Sequence, residues 1–210
     1  GHNDGTFSVV GDRLEKISNI NGGWTLKKLA SHPNHLIQGT YTGLVIYVKN
    51  AQGTWSFSHR IEGFGEPSRY VEQDHKGNIW VSHAYKGLYR ITVSPDLKKA
   101  TNIRYYNEKN GLPGSFNINT FNLENRVVFS SDSGFYVYDD ISDHFSKYAT
   151  LNNNLGTFSS ANKIIKAGNN KYWFINHGRM SLANFTNPGK INIDSNKFNV
   201  LDGRMVQYYE

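Results

Sequence analysis

Few residues in this sequence are spaced for catalysis or for metal binding. His32-Pro33-Asn34-His35 places two imidazoles close together, but a Pro-Asn pair between two strand-like runs is more typical of a turn than of a metal site. No two carboxylates are spaced to act together as acid and base, and no glycine-rich loop follows a strand to hold a phosphate. The sequence therefore predicts no catalytic residue, no metal site and no cofactor.

Charge and composition narrow the function classes further. The net charge is +6, yet the basic residues are scattered, and the densest groups are only Lys27-Lys28 and Lys98-Lys99. A nucleic-acid footprint needs clustering on one face, so we expect no direct contact with nucleic acid. Cysteine is absent, which excludes disulfides and thiolate chemistry within these residues.

The strongest pattern is an internal repeat. The stretch Asn78–Ile91 reads as two strands, Ile79–His83 and Gly87–Ile91, joined by a short turn. It recurs at 34–47 and 126–138, in degenerate form at 171–185, and as its second half only in the first ten residues. The glycines that open the second strand, Gly5, Gly43, Gly87 and Gly134, are 38, 44 and 47 residues apart.

A period of about 40–50 residues with strand-like content is typical of a β-propeller, in which each blade has four strands. We name these strands A to D in each repeat. The sequence predicts an all-β fold, a β-propeller fragment of four-stranded antiparallel blades. The expected blades are 24–62, 68–108, 117–150 and 161–200, with partial blades at 1–20 and 204–210.

The rest of the pattern agrees with an all-β propeller. No segment shows a helical period. We expect the D strands of the last two blades at His144–Thr150 and Ile191–Val200. The B strands are apolar at successive positions, which suits sheets that are buried on both faces. Trp80 and Trp173 recur at equivalent positions in such runs, so we expect both in the core rather than in a binding site.

One repeat resembles a known family. Asp74-His75-Lys76-Gly77-Asn78-Ile79-Trp80-Val81, followed by Gly87-Leu88, resembles the two-component-regulator propeller repeat, and Asn110-Gly111-Leu112-Pro113 resembles its inter-blade segment. The resemblance implies the periplasmic sensor region of a membrane-bound hybrid two-component or helix-turn-helix regulator of Bacteroidetes. It also implies a β-sandwich, a transmembrane helix and a kinase or DNA-binding domain further along the chain. The family's Gly-Thr after strand B is present at Gly39-Thr40 but becomes Ser82-His83 and Ser130-Ser131 in other repeats.

Propeller geometry predicts where a site would lie. The B–C loops and D–A segments share one face, and loops on a rigid scaffold commonly carry function. Aromatic and planar polar side chains there suit a polar, sugar-like ligand, unless they only solvate the turns. The candidate ligand-binding residues in the B–C loops are Tyr41, His83, Tyr85, Asp132, His177 and Arg179. The D–A segments add Glu66, Arg69, Ser115 and Asn117.

We therefore expect a non-catalytic, periplasmic sensor propeller. The resemblance implies an oligosaccharide or another small polar ligand, together with contacts to the remaining blades and the downstream sandwich domain; a homodimer is left open. Two alternatives remain at this point: a propeller enzyme, either a lyase or a glycosidase, and a protein-interaction propeller.

Overall fold

The structure is a computed structural model that describes residues 1–187 and 190–203. It contains four antiparallel four-stranded sheets and, before them, one two-stranded sheet. The four sheets are the blades of a β-propeller, and their first strands line a central channel. The all-β propeller prediction is therefore confirmed. The partial blade predicted at 204–210 lies outside the described residues.

The strands follow one another in chain order within each blade. The two-stranded N-terminal hairpin consists of β1 (Thr6–Val10) and β2 (Arg13–Ser18). Blade 1 contains β3 (Leu26–Leu29), β4 (His32–Thr40), β5 (Gly43–Lys49) and β6 (Trp55–Arg60). Blade 2 contains β7 (Tyr70–Gln73), β8 (Ile79–His83), β9 (Gly87–Val93) and β10 (Ala100–Tyr106). Blade 3 contains β11 (Asn119–Leu123), β12 (Arg126–Ser131), β13 (Gly134–Asp139) and β14 (His144–Lys147). Blade 4 contains β15 (Lys163–Gly168), β16 (Lys171–Asn176), β17 (Arg179–Asn187) and β18 (Lys190–Ile193).

Two predicted D strands are too long. The strand predicted to reach Thr150 ends at Lys147, and a short helix, α1 (Ala149–Asn154), follows it. The helix places the amide of Asn152 against strand C: its Oδ1 accepts the backbone N–H of Phe135 at 2.8 Å and its Nδ2 donates to the carbonyl of Phe135 at 2.9 Å. The Oδ1 atom thus takes the place of a backbone acceptor beyond the end of β14. The strand predicted at Ile191–Val200 is only β18, and Asn199–Leu201 form a 3-10 turn.

The Asp-x-x-Gly-Asn motif of blade 2 builds its A–B turn. One carboxylate oxygen of Asp74 accepts the backbone N–H groups of Lys76 and Asn78, both at 2.9 Å. Its other oxygen accepts the indole N–H of Trp80 at 2.9 Å. Because the aspartate binds both the turn and the tryptophan, the motif fixes the strand and orients its largest side chain.

Trp80 is the centre of the contact between blades 2 and 3. It is only 2 % exposed, and its ring lies 5.5 Å from that of Tyr106 in its own blade. In blade 3 its ring contacts Phe129, Tyr138 and Phe145 at centroid distances of 4.9, 5.0 and 5.9 Å. We call these five rings the aromatic seam. Edge-to-face packing of this kind adds to the free energy gained by burial of the rings.

Polar groups cover the edge of the aromatic seam. The guanidinium of Arg90 lies 5.0 Å from the ring of Tyr138 and 5.7 Å from that of Trp80, and it donates to the Tyr138 hydroxyl at 2.7 Å. Asp143 accepts hydrogen bonds from both Tyr138 and Tyr106. Burial, together with these hydrogen bonds, raises the pKa of the Tyr106 hydroxyl above its usual range.

The other inter-blade contacts are mainly aliphatic or mixed. Residues of blades 1 and 2 form one cluster that includes Ile37, Ile46, Val71 and Val81. Blades 3 and 4 share a second cluster, to which α1 contributes Leu151. Each sheet is thus buried by its neighbours, which explains the apolar B strands.

The repeated glycines open strand C where strand D, or the segment that follows it, comes very close. Gly87 has a φ of +87°, and a Cβ built on it would lie 2.6 Å from the carbonyl oxygen of Tyr106, at the end of strand D. At Gly43 the corresponding distance to the Phe64 carbonyl is 2.3 Å. The repeat therefore needs glycine for two reasons, the backbone conformation and the close approach.

Leucine substitutions at Trp80 and Trp173 test whether the aromatic seam is the main contact between blades. Both lie three residues before the end of their B strands, but Trp173 is only half-buried and contacts Phe198 at 5.0 Å. We expect Trp80→Leu to lower the free energy of unfolding by about 3 kcal/mol or more and Trp173→Leu by clearly less. Urea unfolding followed by circular dichroism measures both; equal losses would contradict the aromatic seam as the main inter-blade contact.

Gly87→Ala and Gly53→Ala test the close approach. Gly53 has nearly the same φ, +85°, but a methyl group added to it would lie 3.7 Å from its nearest neighbour atom, in the Lys49 side chain. Both variants carry the backbone strain of a left-handed alanine, so the difference between them isolates the clash. We expect Gly87→Ala to cost about 1–3 kcal/mol more stability; thermal unfolding with equal shifts in both variants would refute this.

Candidate functional site

The B–C loops differ in length among the blades. They contain two residues in blades 1, 3 and 4, and three residues, Ala84, Tyr85 and Lys86, in blade 2. The longer loop carries two exposed functional side chains, an aromatic ring and an ammonium group. Blade 2 therefore has the longest B–C loop. We call the side of the propeller that carries these loops the B–C face.

Tyr85 and Phe116 form an exposed aromatic pair, which we call the platform. Their rings are 5.7 Å apart and inclined at 32°, and the residues are 72 % and 63 % exposed. Phe116 lies in the D–A segment that leads into blade 3, and the next residue, Asn117, donates its backbone N–H to the carbonyl of Ala84 at 3.5 Å. The platform is thus built from both blade 2 and the entry to blade 3.

Polar groups surround the platform. Glu66 binds the Lys86 ammonium at 2.9 Å and lies 3.7 Å from Nε2 of His83. The hydrogen bond to Glu66 and its charge raise the pKa of Lys86, which keeps this amine protonated. On the other side, the Asn117 amide donates to Asp132 at 2.9 Å.

The structure brings together only some of the residues predicted for the site. His83 and Tyr85 share a loop, with rings 6.4 Å apart, and Asp132 reaches the same area through Asn117. Tyr41 instead donates to Asn3 at 2.8 Å and packs on Trp24.

The two predicted residues of blade 4 have other surroundings. Arg179 pairs with Asp202 at 3.1 Å and stands where the other blades have the repeated glycine. His177 is exposed, with a φ of +46°.

Sequence reasoning missed Phe116. The signal was present, because a phenylalanine in the polar, glycine-rich break between Gly114 and Asn117 has no strand to bury it. Only the structure shows that it lies beside Tyr85.

The channel holds a cavity that sequence reasoning also missed. It has a volume of about 1040 Å³ and opens toward the A–B turns, on the face opposite the platform. Its polar lining comes mainly from the A strands and A–B turns of all four blades, among them Lys27, Lys28, Glu72, Glu124 and Lys166, and Tyr172 of strand B in blade 4 adds its hydroxyl. Charged residues inside A strands, such as Glu72, were the available signal.

The acidic groups of this cavity are bonded within the protein. Lys27 and Glu72 form an ion pair of 2.9 Å between blades 1 and 2. The Tyr172 hydroxyl donates to Glu124 at 2.7 Å, and burial followed by this bond raises the pKa of Tyr172 to about 12. Each of these contacts joins two neighbouring blades at the wall of the channel.

Within residues 1–187 and 190–203, no group of three or more His, Asp or Glu side chains is arranged to hold a metal ion. Over the same described part of the chain, none of the helices has the length and apolar character needed to cross a membrane.

Comparison with known proteins gives structural neighbours only. No protein-family model matches the chain, and no curated protein matches it. Among solved structures, the extracellular domain of a putative hybrid two-component system from B. thetaiotaomicron superimposes with a TM-score of 0.61 at 16 % identity, over 90 % of this chain. The chain spans 25 % of that structure's length.

Two further neighbours have lower scores. A protein from Lactobacillus plantarum gives a TM-score of 0.53 at 10 % identity, over 90 % of this chain and 62 % of its own. An auxiliary nutrient binding protein from Bacteroides ovatus gives 0.52 at 9 % identity, over 90 % of this chain and 45 % of its own. At these identities the likeness is one of fold. The shared fold is a β-propeller of four-stranded blades.

Proposed function

We propose that the chain is part of the extracytoplasmic, periplasmic sensor region of a bacterial membrane-bound signalling regulator, and that its B–C face binds a small polar ligand such as an oligosaccharide. The observation that carries this proposal is the platform of Tyr85 and Phe116. The fold shared with the extracellular domain of a two-component system and with a nutrient binding protein supports it.

The rings of Tyr85 and Phe116 lie side by side but are 72 % and 63 % exposed, so they contribute little buried area to the blades. Exposed apolar patches bordered by polar groups commonly mark binding sites. A sugar ring can stack on Tyr85 and Phe116 while its hydroxyls meet the carboxylates of Glu66 and Asp132 and the amide of Asn117. In this proposal Tyr41, His177 and Arg179 belong to the more distant rim, which a longer ligand would reach, whereas His83, only 6 % exposed, supports the loop that carries Tyr85.

The position of the platform also suggests how binding is relayed. Tyr85 belongs to blade 2 and Phe116 to the entry of blade 3, so a ligand that contacts both favours one relative position of these blades. Binding then shifts the population of blade arrangements, and the shift passes through the remaining blades and the sandwich domain to a kinase or DNA-binding domain. A homodimer would offer a further contact for the same relay.

The proposal is non-catalytic. Lys86 pairs with Glu66, and Asn117 binds Asp132, so these carboxylates serve as hydrogen-bond acceptors rather than as an acid–base pair. A propeller glycosidase would need one carboxyl group free to act as an acid and another free to act as a base or nucleophile beside the ligand.

Isothermal titration with neutral hexasaccharides of β-glucose, β-xylose and α-arabinose tests the site. For the sugar that binds, we expect Tyr85→Ala and Phe116→Ala each to weaken affinity by about tenfold, because each removes a stacking surface. Lys28→Ala and Lys166→Ala, in the channel cavity on the opposite face, are matched controls that should leave affinity unchanged.

The outcomes separate the alternatives. Weaker binding in the channel variants, with full affinity in both platform variants, would move the site to the channel. Shortened sugars in the reaction mixture, detected by chromatography, would contradict a non-catalytic sensor and favour the enzyme alternative.

A further inference from the structure

In blades 1, 2 and 3 the last residue of strand B uses its side chain to cap the B–C loop. In blade 1 the hydroxyl of Thr40 accepts the backbone N–H of Thr42 at 3.2 Å. In blade 3 the hydroxyl of Ser131 accepts that of Ser133 at 3.2 Å. A hydroxyl is short and reaches one N–H group, which is sufficient for a loop of two residues.

Blade 2 has an imidazole in this position. Nδ1 of His83 accepts two backbone N–H groups, from Tyr85 at 3.0 Å and from Lys86 at 3.2 Å. The longer side chain thus caps the longer loop. Because Nδ1 is an acceptor, the ring is neutral and carries its proton on Nε2, which faces Glu66.

We propose that His83 positions the platform and makes it responsive to pH, because a proton on Nδ1 would point at the two N–H groups that the ring now accepts. The loop would then lose both cap bonds, and Tyr85 would lose its fixed place beside Phe116. The inference that ligand binding responds as well rests on the proposed function; the response of the loop does not.

The surroundings of His83 favour release of the loop rather than movement of the ring. Glu66, from the segment before β7, attracts the charged ring through Nε2 and would hold it in place. Lys86, on the loop itself, then competes with His83 for this one carboxylate. Arg69, which precedes β7, lies over the ring of Tyr70, and the segment 114–117 that packs on the loop has no titratable side chain.

The direction of the response follows from burial. His83 is only 6 % exposed, and burial lowers its pKa below the ordinary histidine value, with Glu66 opposing the shift and Lys86 adding to it. Because this pKa lies below the ordinary histidine value, the neutral, capping form is present at neutral pH and persists to a lower pH than in a free imidazole. The loop is released only as the pH falls through the lowered pKa. Thr40 and Ser131 do not titrate, so the loops of blades 1 and 3 stay capped.

Amide NMR of the ligand-free chain between pH 8 and pH 4.5 tests the loop directly. In the unmodified protein the Tyr85 and Lys86 amide signals should shift as His83 titrates, and their protection from exchange, relative to the intrinsic exchange rate at each pH, should fall. His83→Asn keeps an acceptor near the Nδ1 position and does not titrate, so both amides should stay protected at every pH. His83→Gln places its polar atoms near Nε2, so both amides should be exposed at every pH. His75→Gln, on the opposite face, should behave like the unmodified protein.

Titration with the same three hexasaccharides at pH 7.5 and at a pH below the His83 titration midpoint observed by NMR tests the link to binding. Loss of two hydrogen bonds predicts about tenfold weaker binding at the lower pH, and His83→Asn should abolish this difference. Amides of Tyr85 and Lys86 that do not respond while His83 titrates would overturn the proposal, and so would an unchanged pH response in His83→Asn. If the loop responds as expected but no sugar binds at either pH, the proposed function fails while the positioning role of His83 is supported.

Discussion

The structure depends on the burial of each sheet by its neighbours, and the contact between blades 2 and 3 shows this most clearly. Trp80 is held at one end by Asp74 and is surrounded by rings of the next blade. A single four-stranded sheet has no partner for such a side chain, so the blades stabilise one another in sequence, as in other repeat proteins. Arg90 and Asp143 then cover the polar edges of the same rings.

This stacking places the two halves of the platform side by side. Tyr85 follows β8, the strand that contains Trp80, and Phe116 precedes β11 in blade 3. The aromatic seam therefore determines how far these exposed rings lie from each other. In the proposed function, a ligand on the platform would act on the same contact between two blades as the rings in the core.

Local features of the fold were predictable from sequence, and contacts between distant segments were not. The strand Ile79–His83 and its glycine-opened partner follow from residue pattern alone, since their signals are within a few residues. Helix α1 was missed because the amide of Asn152 substitutes for a strand bond to Phe135, 17 residues away. Phe116 was missed for the same reason: its exposure was readable from the sequence, whereas its position beside Tyr85 depends on the register between blades.

A double-mutant cycle between Trp80 and Phe145 tests the central claim most directly. The free energy of unfolding would be measured for the original chain, Trp80→Leu, Phe145→Leu and the double variant. Rings in contact across the two blades predict a coupling energy of about 0.5–1.5 kcal/mol. Losses that add to within about 0.3 kcal/mol would show that the two rings do not stabilise each other, and would contradict the account of blades held together by their aromatic seam.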